Sequence, residues 1–226
     1  MLWISQLLNN LFPISCINCH APGAYLCALC AARIPRKSKT IYNTSSIPSF
    51  AEAGLLGIHA ATQYHISPIL KKTIHLFKYR KIKSLAEPLG DIMRERIEPF
   101  LKQNSNQWLI IPVPLHNRKL RERGFNQNDL LADRCFRDIK TVRIAGKTDN
   151  PLQRRRATES QTRLQKNDRC ANVRDCFFVN KPNIVYGKNI IVVDDVATTG
   201  ATIFESARAL KAIGAKNIFG FVLAYD

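Results

Sequence analysis

Asp194 and Asp195 end a run of β-branched apolar residues and open a hydroxyl-rich turn. Positions 190–202 read Ile-Ile-Val-Val-Asp-Asp-Val-Ala-Thr-Thr-Gly-Ala-Thr. A continuous β-branched run suits a strand buried on both faces of a parallel sheet, and such sheets place ligands at the carboxyl ends of their strands. The acids fall at that end. Ionised carboxylates only accept hydrogen bonds, and the vicinal diol of a ribose offers two O–H donors to a neighbouring pair of them. Ala197, Thr198, Thr199, Gly200, Ala201 and Thr202 follow with backbone N–H groups, hydroxyls and one glycine, and lead into a helical period at Ile203, Ala207, Leu210 and Ile213. A loop that enters a helix N-terminus holds a phosphate dianion through oriented amides and the positive end of the helix dipole. Diol and phosphate together make a 5-phosphoribosyl group. The alternative, a buried strand followed by an ordinary capped helix, needs only one such polar residue.

Two basic segments accompany this site. Residues 116–127 read HNRKLRERGFNQ and directly follow an apolar strand, so Arg118, Lys119, Arg121 and Arg123 extend from the same sheet edge as the acids. Guanidinium forks there suit a pyrophosphate or a strand of phosphodiesters. Residues 154–177 are long, polar and charged with little apolar periodicity, as in a mobile active-site lid. For both, a merely solvated charged surface is the competing reading.

Elements that could position these groups are readable in outline. Strands are expected over residues 55–63, 108–113, 190–195 and 217–223, and helices over 68–79, 84–103 and 125–139. Buried strands alternating with helices imply an α/β sheet of the doubly wound type. Residues 33–49, basic and then rich in Ser, Thr and Pro, read as a linker between a small module over 1–40 and a main domain over 50–226.

Cys16, Cys19, Cys27 and Cys30 define that module, with the spacing C-x2-C-x7-C-x2-C. Thiolates two residues apart converge on a tetrahedral Zn2+ from a tight knuckle, and two knuckles close a structural site. Two disulfides are the alternative in an oxidising compartment. His20 could compete as a ligand, and Cys135, Cys170 and Cys176 lack ligand spacing.

The 226 residues carry 34 Lys and Arg against 17 Asp and Glu, a net charge of +17. So large an excess favours polyanionic partners such as nucleic acid, nucleotides, pyrophosphate or anionic lipid. No apolar stretch is long enough to span a bilayer, and the first dozen residues lack a basic start and a small-residue cleavage site, so a cytoplasmic protein is expected. Leu2, Trp3, Leu7, Leu8, Leu11 and Phe12 outline a short amphipathic helix that either packs on the protein or touches a membrane or partner.

The segment IIVVDDVATTGAT resembles the motif with which type I phosphoribosyltransferases bind 5-phosphoribosyl-1-pyrophosphate (PRPP), the acids on the ribose hydroxyls and the loop on the 5-phosphate. Together with the four-cysteine module, IPVPLHNRKLRERGFNQ and RATESQTRLQKNDRCANV, it makes the chain similar to the ComF family of competence proteins, also grouped with the GntX proteins. That resemblance implies a type I phosphoribosyltransferase fold, a parallel-rich sheet flanked by helices, with an amino-terminal zinc finger. It also implies a role with incoming single-stranded DNA in natural transformation, beside uptake machinery at the cytoplasmic face of the inner membrane. Lys78 and Tyr79 recur in the family without a derivable role. Two functions stay open at this stage. One is a protein that binds PRPP and handles DNA; the other is an active phosphoribosyltransferase, with Mg2+ on the PRPP and an unknown acceptor.

Overall fold

The structure, a computed structural model, describes residues 14–37, 39–43, 52–104, 106–146, 148–155 and 175–226. Its strands are β1 (Lys39–Asn43), β2 (Leu55–Gln63), β3 (Trp108–Pro112), β4 (Val142–Ile144), β5 (Leu152–Arg154), β6 (Phe177–Val179), β7 (Asn189–Ala197) and β8 (Asn217–Tyr225). Its helices are α1 (Ala28–Ala32), α2 (Pro68–Tyr79), α3 (Ala86–Gln103), α4 (Asn117–Arg123), α5 (Gln127–Phe136), α6 (Pro182–Val185) and α7 (Ala201–Lys211). Six strands form one sheet in the order β1-β2-β8-β7-β3-β4, while β5 and β6 form a separate antiparallel pair. Only the edge pair β1–β2 of the large sheet is antiparallel. This is the expected parallel-rich sheet flanked by helices.

Strict alternation along the central strands loads both faces. Ile191 and Val193 of β7, Trp108 and Ile110 of β3, and Phe221 and Leu223 of β8 pack with α2, α3 and α5. Ile190 and Val192, Leu109 and Ile111, and Ile218 and Val222 pack on the opposite side with α7 and the β5–β6 pair. Each fully buried large side chain contributes roughly 1.5–3 kcal/mol of transfer free energy, so neither face could be left to water. Gly220 on β8 lets α7 approach closely. A Cβ there would stand 2.5 Å from Cγ2 of Ile203.

Two helices matter most for the site. α2 begins where the Ser67 hydroxyl accepts from Leu70 N at 3.3 Å with Pro68 in the first turn, and it buries Leu70, Thr73, Ile74 and Phe77. α5 begins at Asn126, whose side chain accepts from Asn128 N at 3.2 Å.

Several expectations change. Residues 33–49 are not simply a linker, because Lys39–Asn43, with its β-forming Thr, Ile and Tyr, adds an edge strand to β2. The basic segment 116–127, for which no helix was expected, is partly helical. It holds α4, which starts where His116 accepts from Arg118 N at 3.2 Å and stops at Gly124 in the left-handed region, φ 77°. The ends of the expected lid pair as β5 and β6, whereas residues 156–174 lie outside the described residues, as do the amphipathic stripe over 2–12 and Cys170. Among the described residues no helix is long and apolar enough to cross a membrane.

Candidate functional site

β7 delivers both acids to the carboxyl edge of the sheet, and the strand's alternation sends them to different neighbours. Asp195 continues the parity of Ile191 and Val193 toward α2 and α5. It is 5% exposed. Lys78 Nζ of α2 lies 2.8 Å from its Oδ1, and Gln127 Nε2 of α5 donates to its Oδ2 at 2.8 Å. Asp194 accepts from Asn128 Nδ2 at 2.9 Å, and that same amide nitrogen donates to Val113 O at 3.0 Å. Burial, and then the charge of Asp195, pushes the Asp194 carboxyl up to about 7, against the opposing pull of Lys78 and the hydrogen bonds it accepts.

Next to the acids, the chain turns through Thr198 and Thr199 into α7. Gly200 caps that helix at φ 73°, a conformation that favours glycine because it has no Cβ. The acids and this loop open on one cleft of about 460 Å3, which Thr198 and Thr202 also line. Three buried polar atoms there, Gln127 Oε1, Asn128 Oδ1 and Thr198 Oγ1, have no hydrogen-bond partner among the described residues. Buried polar groups are nearly always paired with protein, ordered water or a ligand, so these atoms can bond whatever enters the cleft.

The structure divides the basic residues expected at this edge. Lys119 and Arg123 line the cleft. Arg118 instead bonds Glu122 at 3.0 Å on the exposed side of α4, and Arg121 is exposed outside the cleft lining. Arg154 of β5 joins Lys119 and Arg123 in the cleft wall. Burial, followed by the charges of Arg154 and Arg123, holds the Lys119 ammonium below its ordinary value, and burial does the same to the Arg154 guanidinium. Cations gathered so closely favour an anionic ligand.

Sequence reasoning missed the supports of the acid pair. Gln127 and Asn128 follow a cap residue and read as an ordinary helix start, while Lys78 lies far away in the chain. Tyr64 and His75 also line the cleft and carried no signal of it, and Tyr79, which lines it too, was marked only by its recurrence with Lys78 in the family.

The four cysteines come together as their spacing implies. The Sγ atoms of Cys16, Cys19, Cys27 and Cys30 lie within 4.8 Å of one another, with Cys19 and Cys27 at 3.5 Å, and none of the four is in a disulfide. Tetrahedral Zn–S bonds of about 2.3 Å require sulfurs about 3.8 Å apart, so the cluster could hold a metal ion such as zinc. Burial opposes ionisation of Cys16, yet N–H groups of Cys19, Cys27 and Asn18 aimed at its sulfur bring the thiol down to about 6. His20 is not among the converging ligands. Cys16, Leu26, Cys30 and Ile34 share a core with α2 and α3, and Lys72 Nζ of α2 donates to Ile17 O at 2.7 Å. α2 thus reaches the cysteine knuckle through Lys72 and the acid pair through Lys78.

Comparison with known proteins agrees with this geometry. Residues 124–226 match the family model of the phosphoribosyl transferase domain. The chain is 32% identical over 162 residues to competence protein ComFC of Bacillus subtilis, covering 71% of this chain and 61% of that protein. It is 28% identical over 218 residues to the DNA utilization protein YhgH of Escherichia coli K12, covering 90% and 93% of the two chains. Competence protein F of Haemophilus influenzae is 34% identical over 111 residues, 48% of this chain and 46% of that one.

Proposed function

This chain belongs to the ComF competence family and carries a phosphoribosyl transferase domain, and from that premise we propose that its cleft binds PRPP and that the protein handles single-stranded DNA during natural transformation. One observation carries the reading. Half-buried Asp194, buried Asp195 and the Gly200 loop open on the same cleft, beside three buried polar atoms with no partner among the described residues.

In this reading the carboxylates accept from the ribose hydroxyls. Thr198 and the N–H groups at the start of α7 take the 5-phosphate. Lys119, Arg123 and Arg154 face the pyrophosphate. Those cations are donors for phosphate oxygens and not ligands for a metal, so the residues fit Mg2+ that arrives chelated by the pyrophosphate. Bound there, Mg2+ would neutralise charge on the pyrophosphate oxygens.

DNA calls for a different footing. A deoxyribose lacks the 2-hydroxyl, so the acid pair has no diol to accept from, and its negative charge repels a phosphodiester. The exposed Arg80, Lys81, Lys83, Arg118 and Arg121 suit a DNA backbone, which would gain affinity by counterion release without sequence preference. The relatives' names, competence and DNA utilization proteins, support this part of the reading. DNA-uptake machinery at the inner membrane is the setting in which such a protein would act.

The cations in the cleft wall also favour a second reading, catalysis. A nucleophile would form a bond to C1 of the ribose as the bond from C1 to pyrophosphate breaks, and Lys119, Arg123 and Arg154 would stabilise the departing anion. Calorimetric titration with PRPP and Mg2+, with and without single-stranded DNA, tests the binding role. Saturable PRPP binding is expected, and its absence would overturn the reading. Pyrophosphate release over time in the presence of candidate acceptors would separate catalysis from binding alone.

A further inference from the structure

We propose that a second cavity, roofed by the last turns of α3 and floored by β2, β7 and β8, binds a small aromatic carboxylate. It shares no lining residue with the cleft, so the inference goes beyond the phosphoribosyl reading and stands apart from it.

The cavity encloses about 230 Å3. An apolar cavity of about 150 Å3 already takes up benzene, so this one suits a benzene ring that carries a substituent or a second fused ring. Its walls match a flat apolar body. Ile97 and Phe100 come from α3, His59 from β2, Ile191 from β7, and Phe219 and Phe221 from β8. The rings of His59, Phe100 and Phe219 form a triangle, with centroids 6.1 Å (His59 to Phe100), 6.0 Å (His59 to Phe219) and 5.1 Å (Phe100 to Phe219) apart. They are tilted by 43°, 40° and 68°, so they present edges as well as faces, the arrangement in which aromatic rings attract. Pro99 also lines the cavity from inside α3, and its ring has no N–H to give to Glu95 O, so the roof lacks one helical hydrogen bond.

Arg96 and Gln103, both exposed, complete the mouth and set the charge of the ligand. Among the described residues Arg96 has no hydrogen bond or ion pair. The residues one turn away on α3, Ile92, Met93, Pro99 and Phe100, hold no acid. The flanking carboxylates are engaged elsewhere, Glu95 with Arg36 at 2.7 Å and Glu98 with Lys102 at 3.2 Å. No carboxylate among the described residues lines the cavity. Burial, and then the charge of Arg96, lowers the His59 imidazole below its ordinary value, and its Nδ1 lies 3.2 Å from Thr40 Oγ1, so His59 brings a neutral ring to the wall. An unpaired guanidinium at the mouth of an aromatic cavity favours an anionic head on an apolar body, and a planar carboxylate matches its fork.

Quenching of Trp108 tests the proposal, since its ring centroid lies 5.6 Å from that of Phe100 and 5.7 Å from that of Phe219. In the full zinc-loaded chain with Trp3→Phe, Trp108 is the sole tryptophan, and 4-iodobenzoate, whose iodine quenches indole emission, is the probe. Saturable quenching is expected, with 4-iodobenzyl alcohol binding about tenfold more weakly for want of one charge-assisted hydrogen bond. Arg96→Gln should erase that difference while the alcohol binds as before, and Gln103→Glu should weaken the carboxylate and spare the alcohol. Inorganic pyrophosphate, a probe for the cations of the cleft, should leave the quenching in place whether or not the cleft binds PRPP. Quenching that rises without saturation, that is equal for acid and alcohol, that survives Arg96→Gln unchanged or that pyrophosphate abolishes would overturn the proposal.

Discussion

Lys78 Nζ and Oδ1 of Asp195 meet at 2.8 Å, their side chains 17% and 7% exposed, so the floor of the cleft is a nearly dry ion pair between a helix and a distant strand. Such a pair need not favour folding over an apolar substitute, but breaking it from one side is costly, because the remaining charge is left buried without its partner. Lys78→Ala should lower stability by about 3 kcal/mol, read as a shift of the urea midpoint. An unchanged midpoint would mean that Asp195 finds another partner.

The pH dependence of stability follows from Asp194. Its unfolded carboxyl ionises near the ordinary 3.8, whereas the folded one holds its proton to about 7. Between those values the folded chain binds more protons than the unfolded, so stability should fall as pH rises from about 4 to about 7 and level off above. The contribution is on the order of a few kcal/mol. Urea unfolding of the wild type and Asp194→Asn at several pH values checks this, and the wild type should show the steeper decline. Asp194→Asn should also weaken PRPP binding at pH 8 by about 1–3 kcal/mol, since an amide replaces a charged acceptor.

Gly200→Val places a β-branched side chain at φ 73°, in the region that favours glycine, and next to the N–H groups that would face the phosphate. It should abolish PRPP binding in calorimetry. Retained affinity would move the 5-phosphate away from this loop.

The basic residues should separate into two groups. Removing charge at the exposed Arg118 and Arg121 should weaken single-stranded DNA binding and reduce its salt slope by about 0.7 per lost phosphate contact, with little effect on PRPP. Lys119→Ala and Arg123→Ala should act chiefly on PRPP. Fluorescence anisotropy of labelled oligonucleotides across a salt series, beside calorimetry, reads both.

Cys16→Ser or Cys27→Ser should release zinc, measured by elemental analysis, because three sulfurs no longer close the tetrahedron. Freshly purified wild type that contains no zinc would remove the metal assignment.

The strand that carries the acid pair and the helix that follows it were legible because strand, turn and helix N-terminus lie consecutively in the chain. α2 was legible at its full length because Ser67 and Pro68 start it and Leu70, Ile74 and Phe77 give it a buried stripe. Contacts between distant segments were not. Nothing local says that Lys78 meets Asp195 or that Gln127 and Asn128 brace both acids, since each reads as an ordinary helix residue. α4 went unseen because Leu120 is its only apolar residue, and β4, β5 and β6 are too short for a period to show.

Because α2 holds Ile17 O through Lys72 and Asp195 through Lys78, the cysteine knuckle and the acid pair are joined by one helical strut. By thermodynamic reciprocity, whatever factor zinc loading adds to the affinity for a phosphoribosyl ligand, that ligand must add to the affinity for zinc. A chelator titration run with and without PRPP would read the strut from its metal end, with no need to observe the cleft.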